Sequence, residues 1–465
     1  MDKYKKLISN TLIFAIGTFS SKVLVFLLMP FYTRVLTRGE LGTADLIVQT
    51  SNLLIPIVSI GISNAIIRFG LDRAVDKRDV FTGGITIVSC GYALFLLLRP
   101  LLTMIPMMNE HTHLIYLYVL TSCLRSLCSQ FVRAREYVRL YAFDGVLSTT
   151  TVILFNVFFL VVFRLGITGY VLATICSDLF SAVFLFWVAE LHRFIRFRHM
   201  NWRLIREILQ FALPLIPANI FWWITNVSDR YFVTYMIGSD ANGLYAMAYK
   251  IPTMIILVSG IFTDAWQMSA ITDAGSGRER FFTNVASAYQ AIIFTAGSGL
   301  ILFTKVLGKI FWAPAFYDAW RFVPLLVLAT VFSCFVTFLG SIYMAEKRSV
   351  ATLVTTIAGA LINLLLNFLL IPAFGVNGAA FATFVSYFAV FVLRALDTRR
   401  FVKIRWNLPK LTVNISVLLI QCWMMLNWEK NWIWPVSGLC ALMIALNFRL
   451  LLTNAHKLLS RRKHA

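Results

Sequence analysis

Charged and amide side chains recur within long apolar stretches of the chain, and their types and spacing could do chemistry. An ionisable group in the middle of a membrane span usually faces a protein interior or a water-filled cavity, because hydrocarbon solvates it poorly. In one stretch the polar residues follow one another at intervals of three or four positions, which places them on one face of a helix. These residues are Asp45, Gln49, Asn52, Ser59 and Ser63, and Pro56 lies on the same face at the same spacing.

Three other apolar stretches also carry polar residues. We predict that the four stretches together form the walls of a hydrated cleft. Lys22 lies near the middle of the first stretch. Cations and amides in such a cleft suit an anionic or sugar-bearing ligand, whereas Asp45, Asp229 and Asp264 could bind a coupling proton or sodium ion. The remaining members of this set are Asn219, Trp222, Asn226, Arg230, Lys250, Thr253, Gly260 and Gln267.

Aromatic residues near these positions are candidates for contacts to sugars or lipid. Aromatic side chains in apolar stretches more often pack in the interior or form belts at the membrane surface, and that interpretation stays open beside the functional one. The candidates are Trp222, Trp223, Tyr245, Tyr249 and Trp266.

Several charges also have a structural interpretation. Arg68 lies near the end of an apolar stretch and could extend its head group to the membrane surface. Arg125 and Asp178, both in mid-stretch, are expected to neutralise one another as a structural pair. Asp229 and Arg230 point about 100° apart around a helix, so each is expected to find its partner on another helix.

The composition predicts that the apolar stretches cross a bilayer. Hydrophobic residues make up 59% of the 465 and charged residues only 14%, and no long polar segment could form a separate water-soluble domain. A soluble enzyme is therefore excluded. Apolar runs of about 20 residues or more predict fourteen helices. They cover residues 8–36, 41–67, 81–107, 112–134, 143–164, 167–190, 205–236, 241–270, 281–304, 315–345, 349–372, 376–396, 410–428 and 432–453.

The distribution of positive charge predicts the orientation. Most of the 42 Lys and Arg residues lie at the termini or in the connections that follow even-numbered spans, as in the basic segment 192–207. Because cytoplasmic loops are enriched in Lys and Arg, both termini are expected in the cytoplasm. The opening segment is interpreted as an uncleaved first span. The net charge of +21 thus reflects topology, and no nucleic-acid partner is expected.

Sequence signatures of catalysis and of metal binding are missing. The seven cysteines fall within predicted spans without a CxxC spacing, and the six histidines lie in loops, at the start of a span or in the tail. Neither set predicts a disulfide framework or a metal site. No GxSxG, HExxH or P-loop motif occurs. We therefore expect no enzyme, no cofactor and no metal.

An internal repeat predicts two equivalent halves. LGITGYVLATICSDLFS (165–181) and FGVNGAAFATFVSYFAV (374–390) align without gaps at an offset of 209. The second copy lies six predicted spans after the first, so the two have the same orientation, as in the parallel repeats of transporters. The expected domains are a six-helix bundle (1–190), a basic cytoplasmic linker (191–206), a second six-helix bundle (207–400), and two additional helices with a basic cytoplasmic tail (401–465).

The chain resembles the Wzx-type flippases, the polysaccharide transporter branch of the multidrug, oligosaccharidyl-lipid and polysaccharide exporter (MOP) superfamily. The resemblance covers nearly all of residues 7–400. It rests on SKVLVFLLMPFYTRVLTRGELGTADL and GISNAIIRF near the start, LPLIPANIFWWITNVSDRYFVTYMIG, ANGLYAMAYKIP and FTDAWQMSAI in the middle, and FYDAWRFVPLL, YMAEKR and LINLLLNFLLIPAFGVNGAAFAT beyond. It implies an all-α polytopic membrane fold like that of multidrug (MATE) transporters and lipid II flippases.

The resemblance also implies a function. The protein would move an undecaprenyl-diphosphate-linked oligosaccharide from the cytoplasmic to the outer leaflet of a bacterial plasma membrane by alternating access. Lys22, Arg230 and Lys250 would then attract the diphosphate, with Arg68 near the inner mouth of the cleft. The sugars would meet the tryptophans together with Asn52, Asn226 and Gln267. Expected partners are this lipid-linked saccharide, membrane lipid, and a polysaccharide polymerase with other assembly proteins.

Three other classes of function compete with this one. A non-transporting scaffold for the polysaccharide assembly complex is one of them, but it would not need charged residues in mid-span. A cation-coupled exporter of drugs or small metabolites could use the same scaffold, although its cleft would favour acidic and apolar groups. A polymerase, ligase or glycosyltransferase of the membrane would be expected to carry a sizeable outer loop, and the longest predicted outer connection, 305–314, is too short.

Overall fold

The computed structural model describes residues 26, 28–72, 74–100, 109–272, 278–346, 348–428 and 431–462. Within them, helices account for nearly the whole chain, and we number the α-helices in chain order. They are α1 (Met29–Val35), α2 (Arg38–Val58), α3 (Ile62–Leu71), α4 (Lys77–Leu97), α5 (Thr112–Ala134), α6 (Val138–Val157), α7 (Gly166–Val188), α8 (Trp202–Ala212), α9 (Leu215–Met236), α10 (Ser239–Lys250), α11 (Thr253–Thr272), α12 (Arg278–Phe311), α13 (Val323–Ala345), α14 (Ser349–Phe374), α15 (Val376–Asp397), α16 (Leu408–Asn427) and α17 (Ile433–Arg462).

Twelve helical stretches among the described residues are long and apolar enough to cross a membrane. The predicted fold class, an all-α polytopic membrane protein, is thereby confirmed. The count of fourteen is not: the first predicted span, 8–36, falls mostly outside the described residues, and the last coincides with the shorter apolar stretch Ile433–Phe448.

Three spans predicted as single helices are each interrupted. The helix predicted over 41–67 consists of α2 and α3, and those predicted over 205–236 and 241–270 consist of α8 with α9 and α10 with α11. A proline lies at or near each interruption, namely Pro56, Pro214 and Pro252. Because proline supplies no N–H to the preceding turn, it favours a break in the helix. Between α2 and α3, Ile60 and Gly61 take positive φ values of 51° and 61°, and the N–H of Gly61 donates to the carbonyl of Pro56 at 2.9 Å.

The chain divides into two compact units, Met1–Trp223 and Ile224–Ala465. In the first unit, α5 packs against α7, α3 and α2. In the second, α13 is the central helix and packs against α15, α11 and α12. Phenylalanines fill the core around it, among them Phe332 and Phe335. The domain boundaries expected from the sequence stay predictions.

The two copies of the internal repeat have the same local structure. They form the starts of α7 and α15, and the equivalent residues Gly166 and Gly375 have positive φ values of 53° and 59°. Three residues on, a side chain at Gly169 would press on the Phe159 carbonyl, and one at Gly378 would overlap the Leu370 carbonyl. Each glycine therefore permits a close approach to the preceding helix.

Candidate functional site

The second unit encloses a carboxylate in a cage of hydroxyl groups. Asp229, on α9, is 0% exposed. Its Oδ2 accepts hydrogen bonds from the hydroxyls of Tyr245 at 2.7 Å and Tyr249 at 2.9 Å, both on α10. Thr383 of α15 donates to the same oxygen at 3.2 Å. Three helices thus converge on one charge, and the three hydroxyls supply much of the solvation that the carboxylate loses on burial.

Arg230 lies beside this cage. Its guanidinium carbon is 4.9 Å from the ring centroid of Tyr249, a cation–π distance. Its backbone N–H donates to Oδ1 of Asp229 at 2.9 Å. Tyr249 therefore contacts both charges, with its hydroxyl on the anion and its ring face on the cation. The prediction that Asp229 and Arg230 each meet a partner on another helix is confirmed.

Buried amides continue the polar network away from Asp229. Asn363 and Asn367 of α14 are fully enclosed. The Oδ1 of Asn363 accepts from Ser228 Oγ and from Asn367 Nδ2, both at 2.9 Å. On the same unit, the hydroxyl of Tyr387 donates to Oδ1 of Asn226. The Nδ2 of Asn363 also donates to Oγ1 of Thr383 at 3.4 Å, which joins these amides to Asp229. We use the name Asp229 network for these residues and include the Asn226–Tyr387 pair, which links the same two helices, α9 and α15. The network contains five predicted residues, namely Asn226, Asp229, Arg230, Tyr245 and Tyr249, together with Ser228, Asn363, Asn367, Thr383 and Tyr387.

The Asp229 network has the chemistry of a site for a proton or a monovalent cation. Hydroxyl groups donate to a carboxylate, and after rotation the same oxygens can accept or coordinate. Amide and carboxylate oxygens are hard ligands of the kind that such cations prefer. Among the described residues, no group of three His, Cys, Asp or Glu side chains could hold a metal ion.

Candidates in the first unit lie along α2, on α3 and at the start of α9. The indole Nε1 of Trp223 donates to the backbone carbonyl of Gln49 at 2.9 Å, and the side chain of Gln49 reaches Asp45 at 3.5 Å. Asn52 and Arg68 are exposed. The polar face predicted for α2 is thus partly occupied by an indole and partly open.

A second enclosed charge cluster lies within the first unit. Arg125 of α5 forms an ion pair with Asp178 of α7 at 2.9 Å, and its other terminal nitrogen lies 3.6 Å from Asp144 of α6. Ser122 and Ser181 donate hydroxyl hydrogen bonds to the two carboxylates. The predicted structural pair of Arg125 and Asp178 is confirmed, and Asp144 is a third member that the sequence did not indicate.

The profile of one protein family, described as Polysaccharide biosynthesis protein, matches residues 7–266, more than half of the chain. The chain belongs to this polysaccharide biosynthesis protein family. The family resemblance derived from the sequence is thereby confirmed.

Two known proteins are similar in sequence to parts of this chain. Lsg locus putative protein 1 of Haemophilus influenzae is 24% identical over 257 residues, covering 54% of this chain and 62% of the relative. An uncharacterized membrane protein of Methanocaldococcus jannaschii is 25% identical over 235 residues, covering 47% of this chain and 45% of the relative. The chain therefore spans about half to three fifths of the length of these relatives.

Solved structures share the fold of this polysaccharide biosynthesis family member. The lipid II flippase MurJ in an inward closed conformation matches with a TM-score of 0.71 at 12% identity, covering 98% of this chain and 100% of MurJ. An inward-facing multidrug resistance MATE transporter of the MOP superfamily matches with a TM-score of 0.65 at 15% identity, covering 83% and 98%. The protein is thus a multi-pass membrane protein with the fold of MOP-superfamily flippases and transporters.

The other predicted residues of this family member are not among the residues that define the Asp229 network, or they lie outside the description. Trp266 is buried, and its ring stacks on Phe338 at 4.9 Å, so in this structure it packs. Trp222 is 63% exposed, and Lys250, the last residue of α10, is partly exposed. The structure of residue 22 and the side chains at positions 264 and 267 lie outside the described residues, which leaves Lys22, Asp264 and Gln267 as predictions.

The sequence reasoning missed the asparagines of α14. Asn363 and Asn367 are four residues apart in the sequence LINLLLN, a spacing that puts both amides on one face of an apolar helix. That signal could have identified them, because an amide in a membrane span needs partners in the protein.

Proposed function

We propose that the protein is a flippase for undecaprenyl-diphosphate-linked oligosaccharides in the assembly of a surface polysaccharide. The main support is that a chain of the polysaccharide biosynthesis family matches the fold of a lipid II flippase over 98% of its length. Family membership connects it with polysaccharide synthesis, and the fold is one that a lipid-linked saccharide flippase uses.

The charge of the substrate sets the physical problem that such a protein solves. A diphosphate cannot enter hydrocarbon unaided, because an isolated buried charge costs on the order of tens of kcal/mol in the Born limit. Arg230 and Lys250, with Lys22 and Arg68, would supply compensating charge along the route. Asn52, Asn226, Gln267 and the indoles of Trp222 and Trp223 would meet the sugars, while the polyprenyl tail stays in lipid.

Asp229 is the candidate for coupling transport to an ion. Its hydroxyl cage is contributed by α10 and α15, so binding of a proton or sodium ion there would change hydrogen bonds on three helices at once. Coupling requires an element with two states that both the ion and the substrate bias, and these hydrogen bonds are the candidate for it. Asp45 and Asp264 are the other acidic candidates. An inside-negative potential would also favour outward movement of an anion, by roughly 2.3 kcal/mol per charge per 100 mV.

The proposed location is a bacterial plasma membrane, with both termini in the cytoplasm and transport directed to the outer leaflet. The basic connections after even-numbered predicted spans support this orientation. A polysaccharide polymerase and other assembly proteins would receive the product.

Deleting the gene and analysing lipid-linked saccharides by mass spectrometry with leaflet-specific labelling tests the function. A complete diphosphate-linked repeat unit is expected to accumulate on the cytoplasmic face. An unchanged lipid-linked pool with altered efflux of drugs or metabolites would instead favour the small-molecule exporter, whose fold the MATE transporters share.

Single substitutions test the cationic route. Arg230→Ala and Lys250→Ala are expected to lower export roughly tenfold to a hundredfold, since a hydrogen bond to a charged group contributes about 1.5–3 kcal/mol. Lys22→Ala should behave likewise. Arg321→Ala is the control, because Arg321 is an exposed cation whose side chain is 61% accessible and pairs with Asp318. Export is measured relative to the amount of protein in the membrane, and normal export in all three cleft variants would refute the route.

A further inference from the structure

The basic segment that follows α7 is held in a fixed conformation against the first unit. Leu191 is fully buried. The hydroxyl of Thr82 on α4 donates to the carbonyl of Phe194 at 3.0 Å and accepts from the N–H of Arg196 at 2.9 Å. The guanidinium of Arg135 lies 4.4 Å from the ring centroid of Phe194. These contacts fix the backbone, so the segment presents its side chains on a surface of defined structure.

The helix α8 extends this surface and is amphipathic. Its apolar face is buried on the first unit through Leu204, Ile205 and Ile208, and it packs against α3 and α4. The side chain of Asn201 accepts the N–H of Leu204 at 3.1 Å and caps its start. Since the apolar face is already covered, the polar face is the one that α8 presents outward.

The outward face carries a concentration of arginines. Two of them have acidic partners: Arg193 pairs with Glu190 at 2.7 Å, and Arg203 lies 3.5 Å from Glu207. Three further arginines are exposed, and within the described part of the chain none of them forms an ion pair with a carboxylate. These are Arg196, Arg198 and Arg206.

Exposed aromatic rings are interleaved with these arginines. Trp202, the first residue of α8, is 66% exposed, and Phe197 is 58% exposed. Trp187 is 65% exposed at the end of α7, a helix long and apolar enough to span a membrane. The arginines therefore begin within a few residues of the point where α7 leaves the hydrocarbon, which is the depth of lipid head groups.

We infer that residues 193–206 form a binding surface for anionic phospholipid head groups of the leaflet in which α7 ends. Guanidinium groups pair with phosphate oxygens through two parallel hydrogen bonds. The neighbouring indole and phenyl rings suit the boundary between head groups and acyl chains, which a soluble anion does not offer. The surface would anchor the first unit to an anionic leaflet independently of the transported substrate.

Lipid binding by the full-length protein tests this inference. The protein is purified in detergent, and the binding of phosphatidylglycerol and phosphatidylcholine is titrated by native mass spectrometry. The triple variant Arg196→Gln/Arg198→Gln/Arg206→Gln is expected to bind phosphatidylglycerol about a hundredfold more weakly, since each cation near a surface contributes on the order of 1 kcal/mol. Phosphatidylcholine binding should not change.

A matched control removes three other exposed cations. Arg399→Gln/Lys403→Gln/Arg405→Gln lowers the net charge equally at exposed positions of the second unit, and it is expected to retain phosphatidylglycerol binding. Equal losses in the two triple variants would overturn the inference, because the effect would then reflect net charge alone. Trp202→Ser should weaken phosphatidylglycerol binding several-fold while the arginines remain.

Inorganic pyrophosphate distinguishes a lipid surface from a general anion site. The inference predicts that millimolar pyrophosphate displaces little phosphatidylglycerol, because it cannot replace the contacts of the aromatic rings. Complete displacement would overturn the inference in favour of a soluble anion. The thermal unfolding temperature of both triple variants in phosphatidylcholine should equal that of the unmodified protein, which separates lost binding from lost folding.

Discussion

Arg125 holds two nearly enclosed carboxylates, Asp144 and Asp178, on different helices of the first unit. Its Nε also donates to Ser181 Oγ at 3.1 Å. Each carboxylate thus has a cation and a hydroxyl as neighbours. Removing one member of a buried ion pair is more damaging than replacing the whole pair, because it leaves an uncompensated charge.

Arg125→Met is therefore expected to destabilise the protein by about 3 kcal/mol. This value is at the low end for buried pairs, since the Arg125 side chain is 28% exposed. Unfolding in detergent, followed by circular dichroism, measures the change. Arg203→Met is the control, because the Arg203 side chain is 90% exposed beside Glu207, and it should cost about 0.5 kcal/mol or less. Equal stability of the two variants would contradict a structural role for the cluster.

Residue-level prediction succeeded where a charge stood alone in an apolar run. Arg125 and Asp178 were recognisable as partners because each lies deep inside a predicted span. Asp144 was missed because it lies at the predicted start of a span. A carboxylate at that position is expected to face water at the membrane surface, so it did not indicate a buried partner. Tyr245 and Tyr249 were found as aromatic residues, but their hydroxyls bind Asp229, a contact that depends on how α9 and α10 pack.

The interruption between α2 and α3 is an element-scale feature with a packing consequence. Next to it, α4 crosses so closely that a side chain at Gly91 would overlap the carbonyl oxygen of Val58, the last residue of α2. The neighbouring atoms belong to the backbone, which cannot move aside as a side chain does. Hydropathy predicted one continuous helix here because periodicity does not register a three-residue break. Pro56 was the available sign, although proline in a membrane helix need not end it.

Gly91→Ala is expected to destabilise the first unit by about 1–3 kcal/mol through overpacking. Gly299→Ala is the matched control, since Gly299 lies within α12 and an added Cβ would meet nothing within 4 Å. That control should be neutral or slightly stabilising, because alanine is the better helix former. Thermal unfolding of the two variants measures both effects. A larger loss for Gly299→Ala than for Gly91→Ala would show that the close crossing of α2 and α4 is wrong.

For the whole molecule, apolar run length was enough to predict the fold class, since a run of about 20 apolar residues has the length of a helix that crosses a bilayer with its backbone groups satisfied. The repeat was predictable because residues such as Gly166 and Gly375 recur at a fixed offset, and in the structure both glycines have a positive φ, which glycine adopts most readily. The number of spans was harder to predict. Run length merges α10 with α11, and it cannot distinguish a full span from the shorter stretch Ile433–Phe448.

The side of the membrane on which each connection lies follows from counting spans between two exposed positions. Asp240, near the start of α10, and Lys403, after α15, are both exposed. Five candidate spans separate them: Ser239–Gly260, Arg278–Phe311, Val323–Ala345, Val350–Phe374 and Val376–Arg400. An odd number places the two positions on opposite sides, whatever the first and last segments of the chain do. The basic residues around Lys403 predict that its side is the cytoplasm.

Cysteine labelling in whole cells tests this arrangement. The native cysteines of the predicted spans should not react with a membrane-impermeant maleimide, so the unmodified protein is the blank. Asp240→Cys is expected to be labelled in intact cells, whereas Lys403→Cys should be labelled only after permeabilisation. The reverse pattern would invert the orientation while retaining the span count. Labelling of both in intact cells would show that an even number of spans separates them, and therefore that one of the five candidate helices does not cross the membrane.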